Sequence, residues 1–230
     1  MKVHGNLNYA AGVTPFGRPF LAPLTSATVG KEPTDAVPVT PIIKIGLRIW
    51  ERILRANRGS TFSFILNELP RSEYAIFVDA STEWGIGGCC GPAYFLYPYS
   101  ILQPMCNTDF IARKELLACV VALSTFATRI EGKLVRIYTD NSSVATWLKK
   151  SRTSNIQGLR LLSCWELYKY KLRCKVAPTW IPGSSNRTAD SLPRGDVPEW
   201  LVRRGTKLFA NLRQLATECT NVEESWDLIL

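Results

Sequence analysis

Histidine is almost missing from this sequence, with His4 the only one in 230 residues. That excludes zinc sites of the Cys/His kind and catalytic triads built on an imidazole. No C-x-x-C pair occurs either. The seven cysteines, Cys89, Cys90, Cys106, Cys119, Cys164, Cys174 and Cys219, are odd in number and sit mostly inside apolar segments, so they read as buried reduced thiols. No apolar run reaches the roughly 18 residues of a membrane span, and MKVHGNLNYAAG lacks the unbroken apolar core of a signal peptide. The expectation is a cytoplasmic or nuclear protein with no membrane partner.

Acidic residues are also scarce. Against 28 Lys and Arg there are 19 Asp and Glu, a net charge of +9. Between Arg129 and Arg213 the chain is rich in Lys and Arg and poor in acids, which favours a polyanionic partner such as nucleic acid. Hydrophobic residues at 46% and charged residues at 20% are ordinary for a globular chain. The length allows one domain of about 100–150 residues plus an appendage.

Gly and Pro recur through the first 41 residues, and TSATVGKEPTDAVPVTP reads as a loop or linker. Next, IIKIGLRIWERILRAN places Ile42, Ile45, Ile49 and Ile53 at helical spacing beside Trp50, which predicts an amphipathic packing helix despite Gly46. From Glu73 the pattern changes to strands. EYAIFVDA is apolar on both faces, as a central strand would be, and WGIGGCC and AYFLYPY follow with Gly91-Pro92 between them, an antiparallel meander. NTDFIARKELLACVVALSTFAT is strongly helical, with Asn107, Thr108 or Asp109 as its cap. KLVRIYTD is a fourth strand, helices follow near NSSVATWLKK and over 157–171, CKVAPTWIP is a fifth strand, and RTADSLPR is a short helix. The order βββαβααβα predicts an α/β fold with a mixed five-stranded sheet and flanking helices. Downstream, LVRRGTKLFANLRQL reads as a basic amphipathic helix.

Four acids occupy related places. Asp79 and Asp140 end the first and fourth strands, Glu115 lies in the helix after the meander, and Asp190 starts the last short helix. Glu115 shares a face with Ala118, Cys119, Ala122 and Phe126, a small apolar stripe that packs on a sheet and points the carboxylate inward. Singly, Asp79 passes as a turn residue, Asp140 as a helix cap and Asp190 as a surface acid. Their joint order carries more. If the first and fourth strands are parallel neighbours, Asp79 and Asp140 end at one edge, where close carboxylates repel unless a cation lies between them. Mg²⁺ is the fitting ion, a hard cation that shares oxygen ligands with substrate phosphates. Two such ions about 3.5–4 Å apart serve phosphodiester hydrolysis.

FVDAS, ARKELLACVVAL, IYTDNSS and WIPGSSNRTADSLPR resemble the four blocks of the ribonuclease H domain of retrotransposon reverse transcriptases, of the long-terminal-repeat or tyrosine-recombinase type. The last block is similar to the signature P-G-x-x-N-x-x-A-D-x-L-S-R, with Pro193 where the family has Ser. The resemblance implies a ribonuclease H-like fold over 71–195 and hydrolysis of the RNA strand of RNA-DNA hybrids with two Mg²⁺, or Mn²⁺. Asp79, Glu115, Asp140 and Asp190 match the metal-binding acids. Asn186 matches the loop Asn, read as a cap for the final helix. Cellular members that carry a loop His before the last Asp use it in product release; KVAPTWIPGSSN has none, which implies slower turnover. GNLNYAAGVTPFGRPFLAPL resembles the end of a polymerase thumb, so 1–70 is expected to be a small, mostly helical remnant and linker, and 196–230 a basic helical tail. The polymerase's own Y-x-D-D carboxylates are absent, so polymerisation would need a partner in trans.

Hybrids are read through backbone shape and 2′-hydroxyls. Ser81, Asn141 and Ser142 are small polar candidates for that contact; Arg113, Lys149, Lys150, Asn186 and Arg187 are further candidates to face nucleic acid. Ordinary turn, cap and surface roles stand beside each. Trp147, Trp165 and Trp180 read as core. Two rival readings are a catalytically silent nucleic-acid-binding module and a DNA nuclease or transposase of the same fold.

Overall fold

The computed structural model describes residues 2–14, 17–32, 34–55, 73–103, 105, 110–153 and 156–221. Three helices come first: α1 (Lys2–Val13), α2 (Arg18–Thr28) and α3 (Pro41–Arg55). They share a core of Leu7, Phe20, Leu21, Ile49, Trp50 and Ile53. The expected loop starts later than its composition suggests, because α2 runs on through Thr28, whose hydroxyl donates back to the Leu24 and Thr25 carbonyls. On α3 the buried face is Ile43, Gly46, Ile49, Trp50 and Ile53, while Ile45 is exposed. The stripe expected through Ile42 and Ile45 is therefore shifted at its N-terminal end. Gly46 explains the shift: a β-carbon there would lie 2.3 Å from the Phe20 carbonyl oxygen, so glycine lets α2 sit directly on the α3 backbone.

The meander forms as expected, β1 (Glu73–Ala80), β2 (Gly85–Cys90) and β3 (Ala93–Pro98), with Gly91 at φ +58 in the turn between the last two. After it come α4 (Tyr99–Leu102), α5 (Ile111–Thr125), α6 (Ala127–Ile130), β4 (Leu134–Thr139), α7 (Ser142–Lys150), α8 (Ile156–Lys171) and β5 (Lys175–Trp180). Then follow α9 (Arg187–Ser191), α10 (Glu199–Arg204), β6 (Thr206–Lys207) and α11 (Leu212–Thr220). Phe110 occupies the N-cap of α5 without a side-chain bond; Asn107, Thr108 and Asp109 lie outside the described residues.

The sheet is mixed, in the order β5-β4-β1-β2-β3-β6, with β1–β4, β4–β5 and β3–β6 parallel and the two meander pairs antiparallel. This α/β arrangement is compatible with a ribonuclease H-like fold, but it has six strands where five were expected. The extra strand comes from the segment expected to be one basic helix. That helix breaks at Gly205, where a β-carbon would meet the Leu201 carbonyl oxygen at 2.3 Å. The chain then runs along β3: Thr206 N–H donates to the Pro92 carbonyl and Leu208 N–H to that of Tyr94. Beyond it, α11 packs on α8, and Lys171 Nζ meets Glu218 Oε1 at 2.5 Å. Residues 206–220 are thus part of the folded unit, not a tail.

Helix α5 is the centre of the core. Every residue from Leu116 to Leu123 is fully buried, because the sheet covers one side and α8 the other. A helix apolar all round is one enclosed all round. The six described cysteines are free and buried, and no described helix is long and apolar enough to cross a membrane.

Replacing a helical glycine by alanine ordinarily stabilises a protein by about 0.5–1 kcal/mol. Gly46→Ala should do the opposite, lowering stability in urea titrations by about 1–3 kcal/mol as the Phe20 carbonyl is displaced.

Candidate metal centre

Register brings the acids together. In the parallel β1–β4 pair Phe77 lies beside Tyr138, so Asp79 and Asp140, each two residues further on, are level at one edge of the sheet. Helix α5, the crossover between the meander and β4, lies against β1 and carries Glu115 to the same place. One carboxylate oxygen from each of Asp79, Glu115 and Asp140 lies within 4.8 Å of the others. Asp79 is 5% and Glu115 4% exposed, and Asp140 is half-buried.

Three acids this close and this dry resist ionising together. Burial, then the charges of Asp140 and Asp190, push the Asp79 carboxyl from its ordinary 3.8 to about 7, against the opposing pull of Arg194 and the Ala80 amide. Glu115 is driven well above its usual range by burial and by Asp79 and Asp140; the Ala80 amide and Thr139 hydroxyl partly offset this. Asp140 is raised chiefly by burial.

The residues present suit a metal. Glu115 Oε2 is buried without a hydrogen-bond partner, and its carboxylate lies beside two others that a divalent cation would satisfy together with it. The triad can therefore hold a metal ion.

Asp190 stands apart from the triad. It is half-exposed on α9 and pairs with Arg194 one turn on, although its charge still reaches Asp79 and Asp140. Its approach depends on Gly87, the β2 partner of Asp79: a β-carbon there would lie 2.5 Å from Leu192 Cβ. Glycine lets the Leu192–Pro193 turn settle on the sheet. Asn186 is only 1% exposed, so it neither faces nucleic acid nor caps α9 with its side chain. Instead its Nδ2 donates to the Val78 carbonyl at 2.9 Å, tying the loop before α9 to the strand that carries Asp79.

The other candidates divide. Ser81 is buried, and its hydroxyl accepts from Trp84 N–H at 2.7 Å and Gly85 N–H at 3.1 Å, the turn role that stood beside its reading as a substrate contact. Arg113 reaches Gln157 on α8. Asn141 caps α7 by accepting from Val144 N–H at 3.1 Å, while Ser142, Lys149, Lys150 and Arg187 are exposed. Trp165 is core and Trp147 half-buried, but Trp180 is 50% exposed, and its indole N–H donates to the Asp140 carbonyl at 2.9 Å. The expectation of a core Trp180 is corrected: it lies at the end of edge strand β5, which has a neighbour on one side only. Sequence reasoning also missed Lys114, which is buried, donates to the Thr82 carbonyl and lies 4.4 Å over the Tyr99 ring.

Two outcomes follow for stability. Without metal, the folded Asp79 carboxyl keeps its proton up to about pH 7 whereas the unfolded one releases it near 3.8. The folded state then binds more protons in between, so stability falls as pH rises across that window, by on the order of 2–4 kcal/mol. Asp79→Asn should flatten that fall in melts run with EDTA. Asn186→Ala, which orphans the Val78 carbonyl, should lower stability by about 1–3 kcal/mol at any pH in this range. Compared with known proteins, the chain matches no family model, no curated protein and no solved structure.

Proposed function

We propose that this chain is an endoribonuclease of the ribonuclease H type, which hydrolyses the RNA strand of RNA-DNA hybrids with two Mg²⁺ ions. The observation that carries the reading is Glu115, a buried carboxylate with an unpartnered oxygen, delivered by a core helix to within 4.8 Å of acids from two parallel strands. The Ala80 amide and Thr139 hydroxyl serve this carboxylate, yet Oε2 is left with no donor, an acceptor that a cation would satisfy. The order of elements and the four sequence blocks that hold Asp79, Glu115, Asp140 and Asp190 support the same reading.

In this reading Asp79, Glu115 and Asp140 hold the ions, with Asp190 completing the set from the rim, and Mn²⁺ is an alternative to Mg²⁺. Bound divalent cations supply Lewis acidity that activates a water and stabilises the leaving oxygen of a phosphodiester. The chain's own part is placement. Sheet register fixes Asp79 against Asp140, the enclosed α5 prevents Glu115 from turning to solvent, and Asn186 keeps the α9 loop on β1. Exposed Lys149, Lys150 and Arg187 are available to phosphates, and the net charge of +9 favours a polyanion. Arg194 holds Asp190 through an ion pair that a metal would compete with. That pair favours the rival reading, a silent nucleic-acid-binding module, in which the fourth acid stays with its arginine.

Labelled RNA-DNA hybrid, RNA duplex and DNA duplex, each with Mg²⁺ or EDTA, separate the two. The expected result is cleavage of the hybrid alone, abolished by EDTA and reduced at least 100-fold (~2.7 kcal/mol) by Asp140→Asn. Salt-sensitive binding to the hybrid with no cutting would establish the silent module.

A further inference from the structure

Two large aromatic side chains stand in water on either side of the acids. Trp180 ends β5 and pairs in register with Thr139, the residue before Asp140; it is 50% exposed. Trp84 lies in the turn that follows β1, five residues after Asp79, and is 63% exposed. The strand order β5-β4-β1-β2 therefore sets Trp180, Asp140, Asp79 and Trp84 in sequence along one edge of the sheet. Two strand spacings, about 10 Å, separate the strands of Trp180 and Asp79.

Both backbones are held while the rings are left bare. The Trp84 amide donates to Ser81 Oγ at 2.7 Å, and its carbonyl accepts from Tyr99 N–H at 3.0 Å. Lys114 pins the same turn through the Thr82 carbonyl. Trp180 is anchored by its indole N–H on the Asp140 carbonyl at 2.9 Å, which satisfies its one polar atom and leaves an apolar ring at the solvent boundary. A solitary exposed tryptophan requires no explanation. Two of them, one on a pinned turn and one at the end of a paired strand, bracketing a set of carboxylates, form a preorganised pair of stacking faces.

We propose that Trp84 and Trp180 are a nucleobase-stacking subsite, which makes the preferred substrate a hybrid carrying unpaired nucleotides beside the cleaved phosphodiester. This deepens the hydrolase reading and rests on it. In a continuous duplex each base face is covered by its neighbours, so exposed indoles gain nothing from it; an unpaired base offers its π-face to any aromatic plane, whatever its identity. Trp180 has a second role as a positioning residue, because its N–H steadies the backbone of Asp140.

The test compares a blunt RNA-DNA hybrid with one of equal length interrupted by a short unpaired gap containing 2-aminopurine. Equilibrium binding is measured in EDTA, and cleavage in Mg²⁺. The full chain should bind the gapped hybrid about 5- to 100-fold more tightly and quench the 2-aminopurine emission. Trp84→Ala and Trp180→Ala should each collapse that ratio toward one. Trp180→Phe, which keeps a ring but loses the N–H, should retain the binding preference and lower kcat, a split that a purely structural role would not give. Equal affinity for the two hybrids, or a preference that survives both alanine variants, would overturn the subsite. Should the full chain cut both hybrids without discrimination, the subsite fails while the hydrolase reading stands; binding to neither removes both.

Discussion

Mutual repulsion among three carboxylates is the constraint around which this structure is organised. Asp79, Glu115 and Asp140 are held within 4.8 Å of each other, two of them almost wholly out of water. Among the described residues no basic side chain is paired with the three acids; Arg194 acts on Asp79 from the pair it forms with Asp190. A chain selected only for stability would not keep this arrangement, since replacing one acid by an apolar or neutral residue removes the repulsion. The acids persist in place because rigid elements hold them there.

Each of those elements is fixed by packing remote from the acids. Helix α5 is enclosed by the sheet and α8, so Glu115 has no freedom to swing outward. The parallel β1–β4 ladder sets Asp79 level with Asp140 through main-chain bonds alone. Gly87 gives the Leu192–Pro193 turn a seat on β2, and Asn186 binds the loop ahead of α9 to β1. Repulsion at the centre is thus opposed by the cooperative packing of the sheet around it.

Much of this was legible from residue order because the relevant signals are periodic. The stripe Glu115, Ala118, Cys119, Ala122 and Phe126 marks the packed face of α5, and the apolar run of β1 marks a central strand. What escaped was non-periodic or long-range. The partner of Asn186 is 108 residues away, so no local pattern distinguishes a clamp from a cap. β6 is two residues long, too short for alternation to register, and it forms only because β3 offers an open edge. On α3, counting isoleucines favoured Ile42 and Ile45, but the deciding residue was Gly46, whose missing side chain leaves no trace in a hydrophobic count. Trp180 was misjudged for a related cause: its place is set by a hydrogen bond to the main chain of a neighbouring strand's end, which residue type alone does not reveal.

The short strand β6 has a consequence for how the unit is delimited. It covers the start of β3, and Tyr97 Oη farther along accepts from the Ala210 amide, so the last strand of the meander is sheltered along much of its outer side. At the opposite margin β5 contains Pro178, which cannot donate to an added strand. The β3 flank is thereby covered over part of its length, and the β5 margin lacks one main-chain donor. A fragment cut near residue 195 would bare the β3 flank and leave a row of unpaired main-chain groups able to template aggregation.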